Sequence, residues 1–189
     1  MTEHDTDVAT ADIVTTDKGG KYLTFKLGAE EYGLGILKVR EIMGLMDITA
    51  VPRTPAYIRG VINLRGKVIP VVDLRAKFGM QSAEDTDETC IIVVNVGEID
   101  DLEMGIVVDK VSEVLDIEDN DIEDAPSFGA NTNTDFILGM GKTKDRVTIL
   151  LDIAKVLSKE DVVMVDPVET RRSEHEVPSP ANTTSTEGD

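Results

Sequence analysis

The 189-residue sequence predicts an all-β fold in which two similar units, each ending in a short helix, pack against each other. Short runs dense in Val, Ile and Leu, bounded by Gly, Asp or Asn, have the length and β-branched content of strands. They read YLTFKLG, EYGLGI, KVIPVVDL, CIIVVNVG, EMGIVVDKV and RVTILLDI. None approaches the roughly 18 apolar residues of a membrane-spanning helix, so membrane insertion is not expected.

An internal repeat relates the two halves of the sequence. The segment that begins at Tyr32 aligns with the segment that ends at Ile117 at an offset of 72 residues, whereas YIRGV and VVDLRAKF align with FILGM and LLDIAKVL at an offset of 79. Asp73 and Asp152 precede short amphipathic segments, where a carboxylate caps the first backbone amides of a helix. Units of this size are too small for large separate cores, so they are expected to share an apolar interface.

Composition divides the chain into three regions. Residues 1–20 and 161–189 are predicted to be largely disordered tails, because they are rich in polar and acidic residues and lack an apolar period. The region 21–160 is predicted to fold as two intertwined barrels, approximately 21–80 and 81–160. Residues 21–80 carry ten basic and five acidic side chains, and residues 81–165 carry six basic and 21 acidic ones. This distribution predicts a basic and an acidic barrel and head-to-tail contact between neighbouring molecules.

The residues that usually carry chemistry are scarce. His4 and His175 both lie in the predicted tails, and Cys90 opens an apolar run, so neither a metal site nor a cofactor is expected. An enzyme based on carboxylates alone is the alternative, and it requires two carboxylates facing each other in a cleft. The net charge of -18 and the 4% aromatic content disfavour nucleic acid as a partner. The N-terminus lacks the features of a signal peptide, which predicts a cytoplasmic location.

Two charged residues stand beside strands that otherwise supply core. Glu41 follows ILKV, and Arg65 lies in INLRGKV, so an ion pair between them would satisfy both. If the pair is partly buried, loss of one member should cost about 3 to 5 kcal/mol. Glu41 has a counterpart in Glu113, but the tract INLRGKV does not recur in the second half, where MGKTKDRV takes its place. This asymmetry favours a functional over a purely structural role for Arg65.

Three segments together resemble the CheW family of bacterial chemotaxis adaptors over about residues 21–160: FKLGAEEYGLGILKVREIMG, ITAVPRTPAYIRGVINLRGKVIPVVDLRAKF and GIVVDKVSEVL. The resemblance implies two SH3-like five-stranded β-barrels that share a hydrophobic core. It also implies a non-enzymatic adaptor that couples methyl-accepting chemoreceptors to the histidine kinase CheA in membrane-associated arrays. In that family the helical receptor tip lies in a groove between the barrels, and the CheA regulatory domain binds barrel to barrel, building rings that further adaptor copies can join.

The resemblance also implies positions for the contact residues. The receptor-contact segment corresponds to ILKVRE, with Val39 and Glu41, and the NLRG motif falls on Asn63, Leu64, Arg65 and Gly66. A helix in a groove needs apolar anchors, which adds four expected wall residues: Ile36, Leu37, Val107 and Val108. The alternative within the same fold is an adaptor of another chemosensory pathway, controlling pilus motility or a second messenger. The sequence alone does not separate the two.

Overall fold

The computed structural model describes residues 17–97, 102–127, 129 and 133–157. The predicted all-β class with short helices is confirmed. The strands are β1 (Gly20–Leu27), β2 (Glu30–Gly35), β3 (Val39–Gly44), β4 (Ile58–Leu64), β5 (Lys67–Asp73), β6 (Cys90–Asn95), β7 (Glu103–Val108), β8 (Lys110–Ile117), β9 (Ile122–Glu123), β10 (Ile137–Thr143) and β11 (Arg146–Leu151). The helices α1 (Leu74–Lys77) and α2 (Ile153–Val156) follow β5 and β11, and single 3-10 turns span Ile36–Lys38 and Asp119–Asp121.

The strands form two sheets, which we call barrel one and barrel two. Barrel one has five strands in the order β3-β6-β7-β5-β4, and barrel two has six in the order β8-β1-β2-β11-β10-β9. The sixth strand of barrel two, β9, is only two residues long. The hydrogen-bonded order leaves β3 and β8 as edge strands, so neither ladder closes among the described residues.

The two sequence halves exchange strands between the barrels. β1 and β2 join barrel two, whereas β6 and β7 join barrel one, so the predicted units 21–80 and 81–160 do not coincide with the barrels. The exchange occurs through two parallel strand pairs, β2 with β11 and β5 with β7. Their registers, Gly33 with Leu150 and Gly105 with Val71, reproduce the two sequence offsets of 72 and 79. The repeat in the sequence is therefore a repeat of the fold.

Glycine at the centre of each parallel pair has a steric reason. A β-carbon on Gly33 would lie 2.9 Å from a Leu150 methyl carbon, and one on Gly105 would lie 3.0 Å from an Ile91 methyl carbon and 3.3 Å from one of Val71. Only glycine allows the crossing strands to approach this closely without displacing core side chains.

Three apolar clusters fill the interior, in agreement with the predicted shared interface. The largest, the shared core, combines residues of both barrels and both helices: Leu23, Phe25, Leu34, Ile92, Met104, Ile106, Leu151 and Val156 are among them. A stack of rings, Phe25, Tyr32, Phe78 and Phe136, lies along it with centroid separations of 5.9, 5.8 and 5.6 Å. Smaller clusters line the inside of each barrel. Since one buried apolar side chain contributes about 1.5 to 3 kcal/mol, the shared core stabilises both barrels together.

The helix caps follow the sequence prediction. Asp73 accepts a hydrogen bond from the Ala76 amide at 3.1 Å, and Asp152 accepts one from the Ala154 amide at 3.2 Å. Most of the predicted N-terminal tail and the whole C-terminal tail lie outside the described residues. The last residues of the N-terminal segment make defined contacts, because the Lys18 ammonium pairs with Asp124 at 2.5 Å.

The distribution of charge corrects the expectation of a basic and an acidic barrel. The strands of barrel one carry three basic and three acidic side chains, and those of barrel two carry five of each. The exchange of strands mixes the two sequence halves, and the acidic excess lies in connecting segments such as 81–88 and 118–124. The basis for head-to-tail attraction between whole barrels is thereby removed.

Candidate functional site

The predicted ion pair between Glu41 and Arg65 is confirmed. Glu41 lies on β3 and Arg65 in the turn between β4 and β5, and an Arg65 Nη atom donates to Glu41 Oε1 at 2.7 Å. The Arg65 side chain is 73% exposed and that of Glu41 31% exposed. The condition for a large energetic role, partial burial of the pair, is thus not met for Arg65. An ion pair this exposed contributes roughly 0.2 to 1 kcal/mol.

The turn that carries Arg65 has an unfavourable backbone for that residue. Arg65 has φ 52° and Gly66 has φ 84°, as in the two-residue turns that match the twist of a β-hairpin. Asn63 Oδ1 accepts a hydrogen bond from the Gly66 amide at 2.9 Å and so fixes the turn. A side-chain-bearing residue in the left-handed region costs on the order of 1 kcal/mol, and the exposed ion pair returns no more than that. Stability alone does not explain an arginine here.

The hairpin itself recurs in the second half, which refines the asymmetry seen in the sequence. Lys144, 79 residues after Arg65, occupies the turn between β10 and β11 and also has a positive φ, of 44°. The duplicated element is therefore present in both barrels, and only its side chains differ. The argument for function consequently rests on the chemistry of Arg65 and not on the presence of the turn.

Arg65 and Glu41 stand at the rim of a cleft in barrel one, which we call cleft one. Its volume is about 370 Å³, and its lining consists of Arg40, Glu41, Leu64, Arg65, Lys67, Ile69, Val93 and Glu103. A second ion pair, Lys67 with Glu103 at 2.9 Å, lies on the same cleft. Leu64, Ile69 and Val93 belong to the apolar cluster inside barrel one or pack against it. Cleft one thus presents paired charges above an apolar floor.

Sequence reasoning missed Arg40, Lys67 and Glu103 as part of this site. Glu103 reaches it because β7 pairs with β5, and that pairing was not predicted. The repeat contains a usable signal, since Glu103 and Lys67 are the counterparts of Glu31 and Arg146, which also pair, at 3.5 Å.

The other predicted contact residues divide into surface and interior positions. Leu37 is 93% exposed in the 3-10 turn before β3, while Ile36 and Val39 are half-buried against the shared core. Val107 and Val108 are only 5% and 1% exposed. They point into core clusters, so their expected role as walls of a groove is corrected: in this structure they offer no surface to a partner.

A further charged cluster closes the junction between β7 and β8. Asp109 accepts hydrogen bonds from Arg75 Nε at 2.6 Å, from an Arg75 Nη at 2.5 Å and from the Gly28 amide at 2.7 Å. The Arg75 guanidinium, with help from the Gly28 amide, lowers the pKa of the Asp109 carboxyl against the opposing effect of burial. We call this arrangement the Asp109 clamp.

Comparison with known proteins places the chain among close relatives. A family model described as the CheW-like domain matches residues 21–161. The chemotaxis protein CheW of Klebsiella aerogenes is 44% identical over 150 residues, 79% of this chain and 89% of the relative, and that of Bacillus subtilis is 38% identical over 152 residues, 80% and 93%. The crystal structure of scaffolding protein TtCheW from Thermoanaerobacter tengcongensis superposes with a TM-score of 0.66 at 37% identity, covering 76% of this chain and 95% of that one.

No helix among the described residues is long and apolar enough to cross a membrane. Family model, sequence relatives and solved structure agree over the same part of the chain, which contains both barrels and cleft one. The chain belongs to the CheW family.

Proposed function

We propose that this protein is a non-enzymatic adaptor that couples methyl-accepting chemoreceptors to the histidine kinase CheA in chemotaxis arrays. The observation that carries the proposal is the position of β3, which borders two different surfaces. Val39, at its start, lies beside the exposed Leu37, and Glu41, two residues later, is bonded to Arg65 on cleft one. One strand thus serves a surface suited to an apolar partner and a surface suited to a charged one.

The first surface suits the helical tip of a receptor. Leu37 supplies a fully accessible apolar side chain, and Ile36 and Val39 form an apolar base that continues into the shared core. Burial of an exposed leucine by a partner contributes about 1.5 to 3 kcal/mol to binding. An amphipathic helix presents apolar side chains at the spacing that such a surface accepts.

The second surface suits the CheA regulatory domain. Arg65 projects from the end of barrel one, flanked by Asn63, Leu64 and Gly66 of the same hairpin. Because the arginine is exposed, a partner carboxylate can add to or replace its bond to Glu41 without first unfolding the turn. Guanidinium groups bind carboxylates with two parallel hydrogen bonds, which fixes the orientation of the partner.

The carboxylates of cleft one do not suit catalysis. Glu41 is bonded to Arg65 and Glu103 to Lys67, so each is held as an ion-pair partner and neither is poised as a general acid. General acid–base work requires a carboxyl whose pKa is tuned toward the working pH. The arrangement supports binding in place of turnover.

The proposal is tested by reconstitution. CheA autophosphorylation is measured with receptor in membranes, with and without this protein, and then with the Val39→Ala and Arg65→Ala variants. The wild-type protein should raise kinase activity in a receptor-dependent way, and both variants should reduce that increase. A wild-type chain that binds neither receptor nor kinase and leaves kinase output unchanged would overturn the proposal.

A further inference from the structure

The duplication gives the molecule two similar edge strands, only one of which was assigned a partner. β3 in barrel one and β8 in barrel two are edge strands related by the offset of 72 residues. Their apolar positions match: Val39 and Val111 are half-buried against the shared core, and Ile42 and Val114 are 43% and 48% exposed. On these positions alone, an amphipathic helix would have two comparable places to dock.

The junctions that precede the two strands differ sharply. Leu37 before β3 is 93% exposed, whereas its counterpart before β8 is Asp109, held by Arg75 and the Gly28 amide. The counterpart of Arg75 in the second half is Ala154, which carries no charge. The clamp therefore exists at one junction only, and the exposed leucine stands at the other.

We propose that the exchange of Leu37 for Asp109 breaks the internal symmetry and directs the partner helix to the β3 edge alone. This inference rests on the proposed function, in which an amphipathic receptor helix is the occupant. At the β3 edge the helix gains burial of Leu37. At the β8 edge it would have to cover the Asp109 clamp, and removing an ion pair from water costs more than its contacts return. The clamp is thus a determinant of where binding occurs and of how many helices bind.

The charges beside the two junctions favour the same assignment. Lys38 and Arg40 flank the β3 junction, whereas the corresponding positions at the β8 junction are Lys110 and Ser112. The β3 edge therefore fits a helix whose apolar stripe is bordered by acidic residues, and the β8 edge has one positive charge fewer to offer it.

Methyl NMR on the full chain, titrated with a soluble cytoplasmic fragment of a chemoreceptor, tests the inference. In the wild type, signals of Val39 and Ile42 should shift while those of Val111 and Val114 stay in place, with one fragment hairpin bound per chain. In the Arg75→Ala/Asp109→Leu double variant, Val111 and Val114 should shift as well, and the stoichiometry should rise from one to two. Leu37→Asp should weaken binding at β3 by roughly tenfold to a hundredfold.

The outcomes separate this inference from the proposed function. If no methyl signal on β3 shifts in the wild type, the proposed function fails, because the receptor fragment does not dock there. If both edges respond in the wild type, or if the folded double variant still binds one fragment at β3, only the inference is overturned.

A reciprocal variant keeps the test valid should the double variant fail to fold. Leu37→Asp/Ala154→Arg moves the clamp to the β3 junction, and Leu37→Ala serves as its matched control. We expect the transplanted clamp to weaken binding well beyond the loss seen with Leu37→Ala. Equal affinities of the two variants would contradict a role for the clamp.

Discussion

Replacing Arg65 separates a structural from a functional role more sharply than any other substitution in the chain. If Arg65 holds the fold together, Arg65→Ala should unfold the protein. If it serves a partner, the same variant should stay folded and lose coupling. The structure supports the second outcome, because the side chain is 73% exposed and its bond to Glu41 lies at the surface.

The expected change in stability follows from two contributions. Loss of the exposed ion pair should lower the free energy of unfolding by about 0.2 to 1 kcal/mol. Alanine keeps a β-carbon, so it retains the backbone cost of φ 52°, whereas Arg65→Gly removes that cost and should recover about 0.4 to 1 kcal/mol. We therefore expect Arg65→Ala to be slightly destabilised and Arg65→Gly to be close to the wild type.

The assay combines urea unfolding, followed by circular dichroism because the chain has no tryptophan, with receptor-dependent CheA activation. Lys144→Ala is the matched control, since Lys144 occupies the equivalent turn with φ 44°. Both Arg65 variants should fall at least about tenfold in kinase-activating potency, a free-energy change of about 1.4 kcal/mol, while Lys144→Ala should not. A loss of more than about 3 kcal/mol of stability in Arg65→Ala would refute the reasoning and make the pair structural.

Three further predictions concern the scaffold. Gly60→Ala should lower the free energy of unfolding by about 2 to 4 kcal/mol, because Gly60 has φ 141° and a β-carbon there would lie 2.0 Å from a backbone oxygen; Gly35→Ala, with open space around it, should change little in the same urea titration. Acid unfolding should be less steep in Arg75→Ala: the pKa of Asp109 is lowered in the folded state, so its pairing stabilises above the ordinary value of 3.8 and is lost as pH falls through the folded pKa. An unaltered acid transition would contradict this. Lys144→Gly should raise the thermal midpoint by relieving its left-handed backbone, and a lower midpoint would contradict that account.

Local patterns in the sequence determined much of the fold before any tertiary information was used. The apolar runs, the caps at Asp73 and Asp152 and the repeat depend on residues near each other in the chain, and the structure has all three. Glu41 and Arg65 were paired from the sequence because each is a charge beside core-forming strands and needs a partner. Their contact in the structure joins residues 24 positions apart.

Tertiary structure decided the features that depend on which strands become neighbours. Sequence order alone did not reveal that β1, β2, β6 and β7 cross between the barrels, because strand pairing is fixed by packing across the shared core. That exchange brings Glu103 to cleft one, buries Val107 and Val108, and mixes the charges of the two halves. Exposure was likewise a tertiary outcome: the same kind of apolar residue is interior at Val108 and solvent-exposed at Leu37, since only folding determines which side of a strand or turn meets the core.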